Sequence, residues 1–263
     1  MMKAGVLFSG GKDSCLALFL AGKEHEIACL ITIFSENKES YMFHTPNIEL
    51  TKLQAEALNL PILIKETKGE KEKELIDLKL AIKEAKEKYK IEGIITGALY
   101  SNYQADRIKK ICIELGLQCF NPLWHINQIE ELKELVKLNF KVIISGVFAY
   151  PFTKDFLGKI IDEKVIEKLK KFQKEYEINP AGEGGEIETT VLDAPMFNKK
   201  IKILESETKY KDNAGIFIIK KARIEDKLEQ SEETKEHIKI SEKEIREGKT
   251  ITFEELKKKM GIK

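Results

Sequence analysis

The residues Ser9-Gly10-Gly11-Lys12-Asp13-Ser14 combine groups that hold a chain of phosphates. Two glycines let backbone N–H groups close on an anion, and a following helix N-terminus adds partial positive charge. Lys12 brings a full charge, and Ser9 and Ser14 bring hydroxyl donors. Asp13 suits such a site only if a cation such as Mg²⁺ accompanies the phosphates. The spacing excludes a Walker A loop, because Gly10 directly precedes Gly11 where that motif needs intervening residues.

A second stretch with chemical potential is Gly182-Glu183-Gly184-Gly185-Glu186-Ile187-Glu188-Thr189. Carboxylates this close repel and raise one another's pKa, so the cluster gains a purpose where a cation or a proton transfer uses it. Mg²⁺, an ammonium ion or a cationic substrate would each serve; a flexible acidic loop is the plain alternative. A third stretch runs from Gly97 to Arg107. Arg107 stands about one turn into a helix, where its fork suits a phosphate. Tyr100 and Tyr103, with Gln104 beside them, either stack on a base or cation or pack in the core. His44, in Tyr41-Met42-Phe43-His44-Thr45-Pro46-Asn47, precedes a helix and reads as structural or functional.

The elements that must position these residues follow from the hydrophobic pattern. Ala4–Phe8 reads as a strand and Cys15–Leu20 as a helix, with the Gly-rich turn between them. Strands are expected at 27–34, 61–65, 93–96 and 141–147, and helices at 47–58, 70–89, 102–115 and 129–138. Alternation of this kind predicts an α/β fold, a parallel doubly wound sheet covered on both faces. Ligands in such sheets bind beyond the carboxyl ends of the strands, where the Gly-rich turn, Phe34, Thr96-Gly97 and Gly146-Val147 would lie. After Tyr150 the pattern changes to a charged helix at 164–176, the turn-rich segment 179–186, and strands near 189–192, 200–205 and 215–221. The expected organisation is a nucleotide-binding domain over 1–150, a smaller α+β domain over 151–225 and a charged helical tail over 226–263. In the tail Ser241-x-x-Glu244 and Thr252-x-x-Glu255 are capping boxes. It is either a solvated appendage or a docking element for a partner or a second subunit, so a homo-oligomer stays open.

Composition limits the alternatives. Hydrophobic residues are 42% of the chain, enough for a packed core, and the net charge of +1 gives no wholesale basic surface for nucleic acid. No apolar run reaches the ~18 residues of a membrane span. The start of the chain lacks the pattern of a secretory signal. Cys15, Cys29, Cys112 and Cys119 show no C-x-x-C spacing, so they read as free thiols in a cytoplasmic protein.

Together these stretches resemble the diphthine–ammonia ligase family of N-type ATP pyrophosphatases. Ser9–Ser14 is similar to the superfamily's ATP loop. Tyr41–Asn47, Gly97–Arg107 with Pro122-Leu123-Trp124, and above all Asn179–Thr189 narrow the likeness to the family. The resemblance implies an adenine nucleotide alpha hydrolase-like fold, with ATP and Mg²⁺ as cofactors and free ammonia as nitrogen source. The implied reaction amidates diphthine, a modified histidine of translation elongation factor 2, through an acyl-adenylate and releases AMP and pyrophosphate. Ser9, Gly10, Gly11, Lys12, Asp13, Ser14, Phe34, His44, Gly97 and Arg107 would then hold the nucleotide, with Asp13 on the metal. Lys12, Asp13, Glu183, Glu186 and Glu188 would be catalytic. Tyr100, Tyr103, Gln104 and Tyr150 would face the substrate. Two other readings fit the ATP loop alone: a tRNA-modifying ligase or thiolase, and a nucleotide-binding sensor. The first lacks a pair of cysteines placed for sulfur transfer, and the second leaves the acidic cluster idle.

Overall fold

The structure, a computed structural model, describes residues 1–35, 47–70 and 73–227. His44 and the capping boxes of the tail lie outside the described residues. Met1–Asp226 is one compact unit. Its first half alternates β1 (Lys3–Leu7), α1 (Lys12–Ala21), β2 (Glu26–Ser35), α2 (Thr51–Leu58), β3 (Ile62–Thr67), α3 (Glu74–Tyr89), β4 (Gly93–Ile95), α4 (Asn102–Glu114) and β5 (Gln118–Phe120). All neighbouring strands pair parallel, in the order β3-β2-β1-β4-β5. The order reverses between β1 and β4, which makes a crevice at their carboxyl ends. The Gly-rich turn follows β1 and the 96–101 segment follows β4, so both border that crevice.

Period-2 alternation explains why these strands are apolar throughout. Leu30 and Ile95 face one core, with Leu16, Leu132 and Ile144; their neighbours Ile31 and Ile94 face another, with Leu78, Ile82 and Ile108. The short strand β5, not expected from the sequence, is a three-residue edge strand on β4.

The chain continues with α5 (Gln128–Lys137), β6 (Lys141–Val147), α6 (Glu163–Tyr176), β7 (Ile187–Asp193), β8 (Lys199–Lys211) and β9 (Ala214–Asp226). These strands form a second, antiparallel sheet in the order β7-β6-β9-β8. β6 therefore corrects one expectation. It is the buried strand read from the sequence, but it joins the second sheet rather than the parallel one, where Gly146 pairs with Glu188 and Val147 with Ile187. A strand buried on both faces shows the same apolar run whichever direction its neighbours take. β8 and β9 are joined by Asp212-Asn213, both at positive φ (51° and 62°), as a tight two-residue hairpin turn requires. Among the described residues no helix is long and apolar enough to cross a membrane, and all four cysteines are free.

Candidate active site

Helix α1 begins at Lys12 with Gly11 as its N-cap, a residue with no side chain to offer the first amides. The Lys12 amide instead donates to Thr189 Oγ1 on β7 at 3.1 Å. Val191 N, on the same strand, donates to Gly10 O at 3.0 Å. The Gly-rich turn is thus built against the strand that ends the acidic motif. Within the turn, Ser14 Oγ donates to Gly11 O at 3.1 Å, and Ser9 Oγ lies 3.3 Å from Ser14 Oγ. Gly97 borders it so closely that a Cβ there would stand 2.7 Å from the Asp13 carbonyl carbon. Only glycine lets the segment after β4 approach the start of α1.

The Lys12 side chain is 1% exposed. Its ammonium stands 2.5 Å from Asp13 Oδ1 and 3.1 Å from Oε1 of Glu131, a fully buried residue of α5. Burial works against the ammonium, but Asp13 and Glu131 outweigh it and hold the Lys12 pKa above the usual lysine range. Burial, aided by Asp13, raises the Glu131 carboxyl despite Lys12. The sequence alone does not distinguish Glu131 from any charged residue of an amphipathic helix; its signal is a carboxylate next to core positions Leu132 and Leu135.

The acidic motif divides by role. Glu186 turns into its own loop: Oε1 accepts from Asn179 N and Nδ2 at 2.9 and 2.8 Å, and Oε2 from Gly184 N at 2.9 Å. Gln128 of α5 braces the same loop, donating to Asn179 Oδ1 at 3.2 Å and accepting from Ala181 N at 2.9 Å. Gly182 makes the turn at φ +85°, with no room for a Cβ beside Ile187 O. Glu183 and Glu188 instead come under the influence of the Gly-rich turn. Burial and then the nearby Asp13 charge raise both carboxyls, Glu188 to about 7, while Lys12 pulls each the other way. Glu183 Oε2 also accepts from Tyr100 N at 3.3 Å.

The other residues expected at the site make the following contacts. The Arg107 guanidinium lies 3.4 Å over the Tyr103 ring, so these two pair with each other. Tyr100 is 40% exposed, with its hydroxyl on Ile126 O and its ring edge-on to His125. The Gln104 backbone N–H donates to Ser101 Oγ, the side chain that caps the start of α4. Tyr150 is exposed and packs edge-on against Tyr176 of α6. Phe34, half-buried at the end of β2, has the Lys52 ammonium 5.6 Å from its ring centre.

Four carboxylates, of Asp13, Glu131, Glu183 and Glu188, thus act on one ammonium, that of Lys12. Hard oxygen donors with excess negative charge suit Mg²⁺. Among the described residues no three of His, Cys, Asp and Glu form a metal cage. Mg²⁺ rarely needs one, being held by one or two carboxylates and the substrate's phosphates. The Asp13 side chain, 33% exposed, fits as that protein ligand.

A glycine turn ending in Lys-Asp at the crevice of a parallel sheet, faced by carboxylates, is an arrangement suited to the phosphates of a nucleotide. Family models point the same way: the diphthamide synthase N-terminal domain matches residues 2–119, and the diphthamide synthase C-terminal domain matches residues 127–224. Several animal proteins named diphthine–ammonia ligase are similar over most of their length. The mouse protein is 36% identical over 226 residues, covering 78% of this chain and 84% of the relative. The human protein is 35% identical over 228 residues, with the same shares. The zebrafish protein is 32% identical over 252 residues, covering 87% of this chain and 98% of the relative. The chain belongs to the diphthine–ammonia ligase family. A solved structure described as a predicted subunit of tRNA methyltransferase from Methanocaldococcus jannaschii overlaps with a TM-score of 0.40 at 20% identity, covering 74% of this chain and 98% of that one. At that level the likeness carries no argument.

Proposed function

We propose that this protein is an ATP-dependent carbon–nitrogen ligase that converts the carboxylate of diphthine on translation elongation factor 2 to an amide, using ammonia. The observation that carries this reading, beside family membership, is the convergence of the acidic motif on the Gly-rich turn. Glu183 and Glu188 act on Lys12 and Asp13, so activation and amide formation have one site.

A carboxylate is a poor acyl donor because its leaving group would be oxide. Its oxygen attacks the α-phosphorus of ATP, the α–β bridging bond breaks, and pyrophosphate leaves; the product is an acyl-adenylate. Lys12 and the turn's backbone amides neutralise the departing pyrophosphate, work for which one well-placed donor is worth ~3–4 kcal/mol. Mg²⁺, held by Asp13 and the phosphates, would add further positive charge there. Ammonia then attacks the acyl carbon, and AMP leaves. Glu188 receives the proton that the attacking nitrogen loses as the amide forms, and Glu183 with Tyr100 faces the cationic end of the substrate. Glu186, Asn179 and Gln128 hold the loop that presents Glu183. In this reading residues 1–150 carry the nucleotide and residues 151–225 present the acidic motif, with β6 crossing from the first stretch into the second sheet. The reaction takes place in the cytoplasm, where the factor works.

The decisive experiment mixes the purified protein with diphthine-bearing elongation factor 2, ATP and ammonium. Mass spectrometry should show a carboxyl-to-amide change on the factor, with AMP as co-product. An unchanged factor, or ADP as product, refutes the reading.

A further inference from the structure

The side chain of Gln54 is fully buried on α2, between the Gly-rich turn and β7. Its Nε2 donates to Gly10 O at 2.9 Å and to Val191 O at 2.8 Å. Gly10 O therefore takes two hydrogen bonds from the protein, the second from Val191 N. A trans peptide is planar, so the N–H of Gly11 points opposite to the Gly10 carbonyl. With the carbonyl held toward α2 and β7, the Gly11 N–H is turned away from them. Its only hydrogen bond among the described residues is a long one, 3.4 Å to Ser9 Oγ, at the weak limit of such contacts. Gly10 sits at φ +76°, and a Cβ there would fall 2.1 Å from Gln54 Oε1. The turn and the glutamine are thus fitted to each other.

We propose that Gln54 is a positioning residue for the nucleotide: by holding the Gly10 carbonyl, it aims the Gly11 N–H at a phosphate oxygen of ATP. The inference rests on the nucleotide reading of the turn given above. Gln54 does not touch the substrate; it sets which way one peptide faces. Its nitrogen must point at the two carbonyls, since both can only accept. A carboxylate in its place would set oxygen against oxygen and drive the peptide to flip.

The test measures binding of an ATP analogue with a methylene between its α and β phosphates, which the enzyme cannot cleave. Gln54→Leu keeps the volume and should raise the dissociation constant about tenfold or more, the worth of a hydrogen bond to a charged group. Gln54→Glu should do worse, and KM for ammonium in either variant should stay within about twofold of the wild type, as for a site whose determinants lie elsewhere. A folded Gln54→Leu protein that binds the analogue as the wild type does would overturn the proposal. Because a core variant can fail to fold, the wild type supplies a second readout. Labelling with [¹³C′,¹⁵N]glycine marks only amides preceded by another glycine, which in this chain are Gly11 and Gly185. The Gly11 resonance should move on addition of the analogue, and one that stays fixed at saturation refutes the aim of that N–H. No analogue binding by the wild type at all would instead sink the nucleotide reading itself.

Discussion

Glu186 and Glu188 are two residues apart and do different work. Glu186 spends both oxygens on its own loop, whereas the Glu188 carboxyl is raised to about 7 by burial and then by Asp13, against the pull of Lys12. Glu188→Gln should therefore slow ligation by about 10²-fold or more, the usual worth of a positioned base, and abolish the fall in rate as pH drops below about 7. Glu186→Gln should keep that pH limb and act through KM for the protein substrate. The same shift makes a stability prediction. Between the unfolded carboxyl value of ~4.3 and about 7, the folded protein keeps a proton that the unfolded chain has lost. Stability from this group is thus present at low pH and lost as pH rises through that window, by on the order of 3–4 kcal/mol. Melting curves should show Glu188→Gln stabilised relative to wild type at pH 8 and not at pH 4; equal midpoints at both would contradict the burial argument. Lys12 calls for a paired test. Lys12→Met leaves the buried Glu131 without its cation and should cost about 3–5 kcal/mol. Adding Glu131→Leu should recover most of that stability without recovering activity, which denaturant titration and AMP release measure separately.

At the scale of elements, α5 links the two halves of the site. It carries Glu131 to Lys12 and Gln128 to the acidic loop, and its start is fixed by Asn127 Oδ1, which accepts from Ile129 N and Glu130 N. Asn127→Ala removes this cap and should cost about 1 kcal/mol of stability. Because Gln128 is the next residue, the variant should also raise KM for the protein substrate; a change in melting temperature alone would show that the cap does not reach the loop. β7 has the matching role from the other side, giving Thr189 and Val191 to the Gly-rich turn one and three residues after Glu188. Turn and acidic strand are therefore tied to each other by two hydrogen bonds.

For the whole molecule, the family match ends at residue 224 and the compact unit at Asp226. A chain stopped after Asp226 should fold, bind ATP and ligate at close to the full-length rate in assays with purified factor. Loss of catalysis with the fold intact would mean that residues 227–263 belong to the catalytic machinery. Inside the unit, the parallel and antiparallel sheets share one hydrophobic core: Val6 and Leu30 of the first lie in the same cluster as Ile144 and Val191 of the second. The Gly-rich turn and the strand that ends the acidic motif, 177 residues apart at Lys12 and Thr189, meet because that core joins the sheets that carry them.

The Gly-rich turn and its flanking strand and helix were legible in the sequence because they are local: residue types, turn chemistry and hydrophobic period all act within a few positions. The acidic motif was legible for the same reason, as was the alternation that predicts a parallel sheet. What tertiary structure alone decided is which of these residues meet. Nothing in the spacing assigned β6 to the second sheet, since burial on both faces hides strand direction. Nor did it separate Glu186 from Glu183 and Glu188, pair Arg107 with Tyr103, or pick Gln54 and Glu131 from other polar residues on amphipathic helices. Hydrogen bonds and charge couplings depend on distance through space, and that distance is fixed only when the two sheets pack.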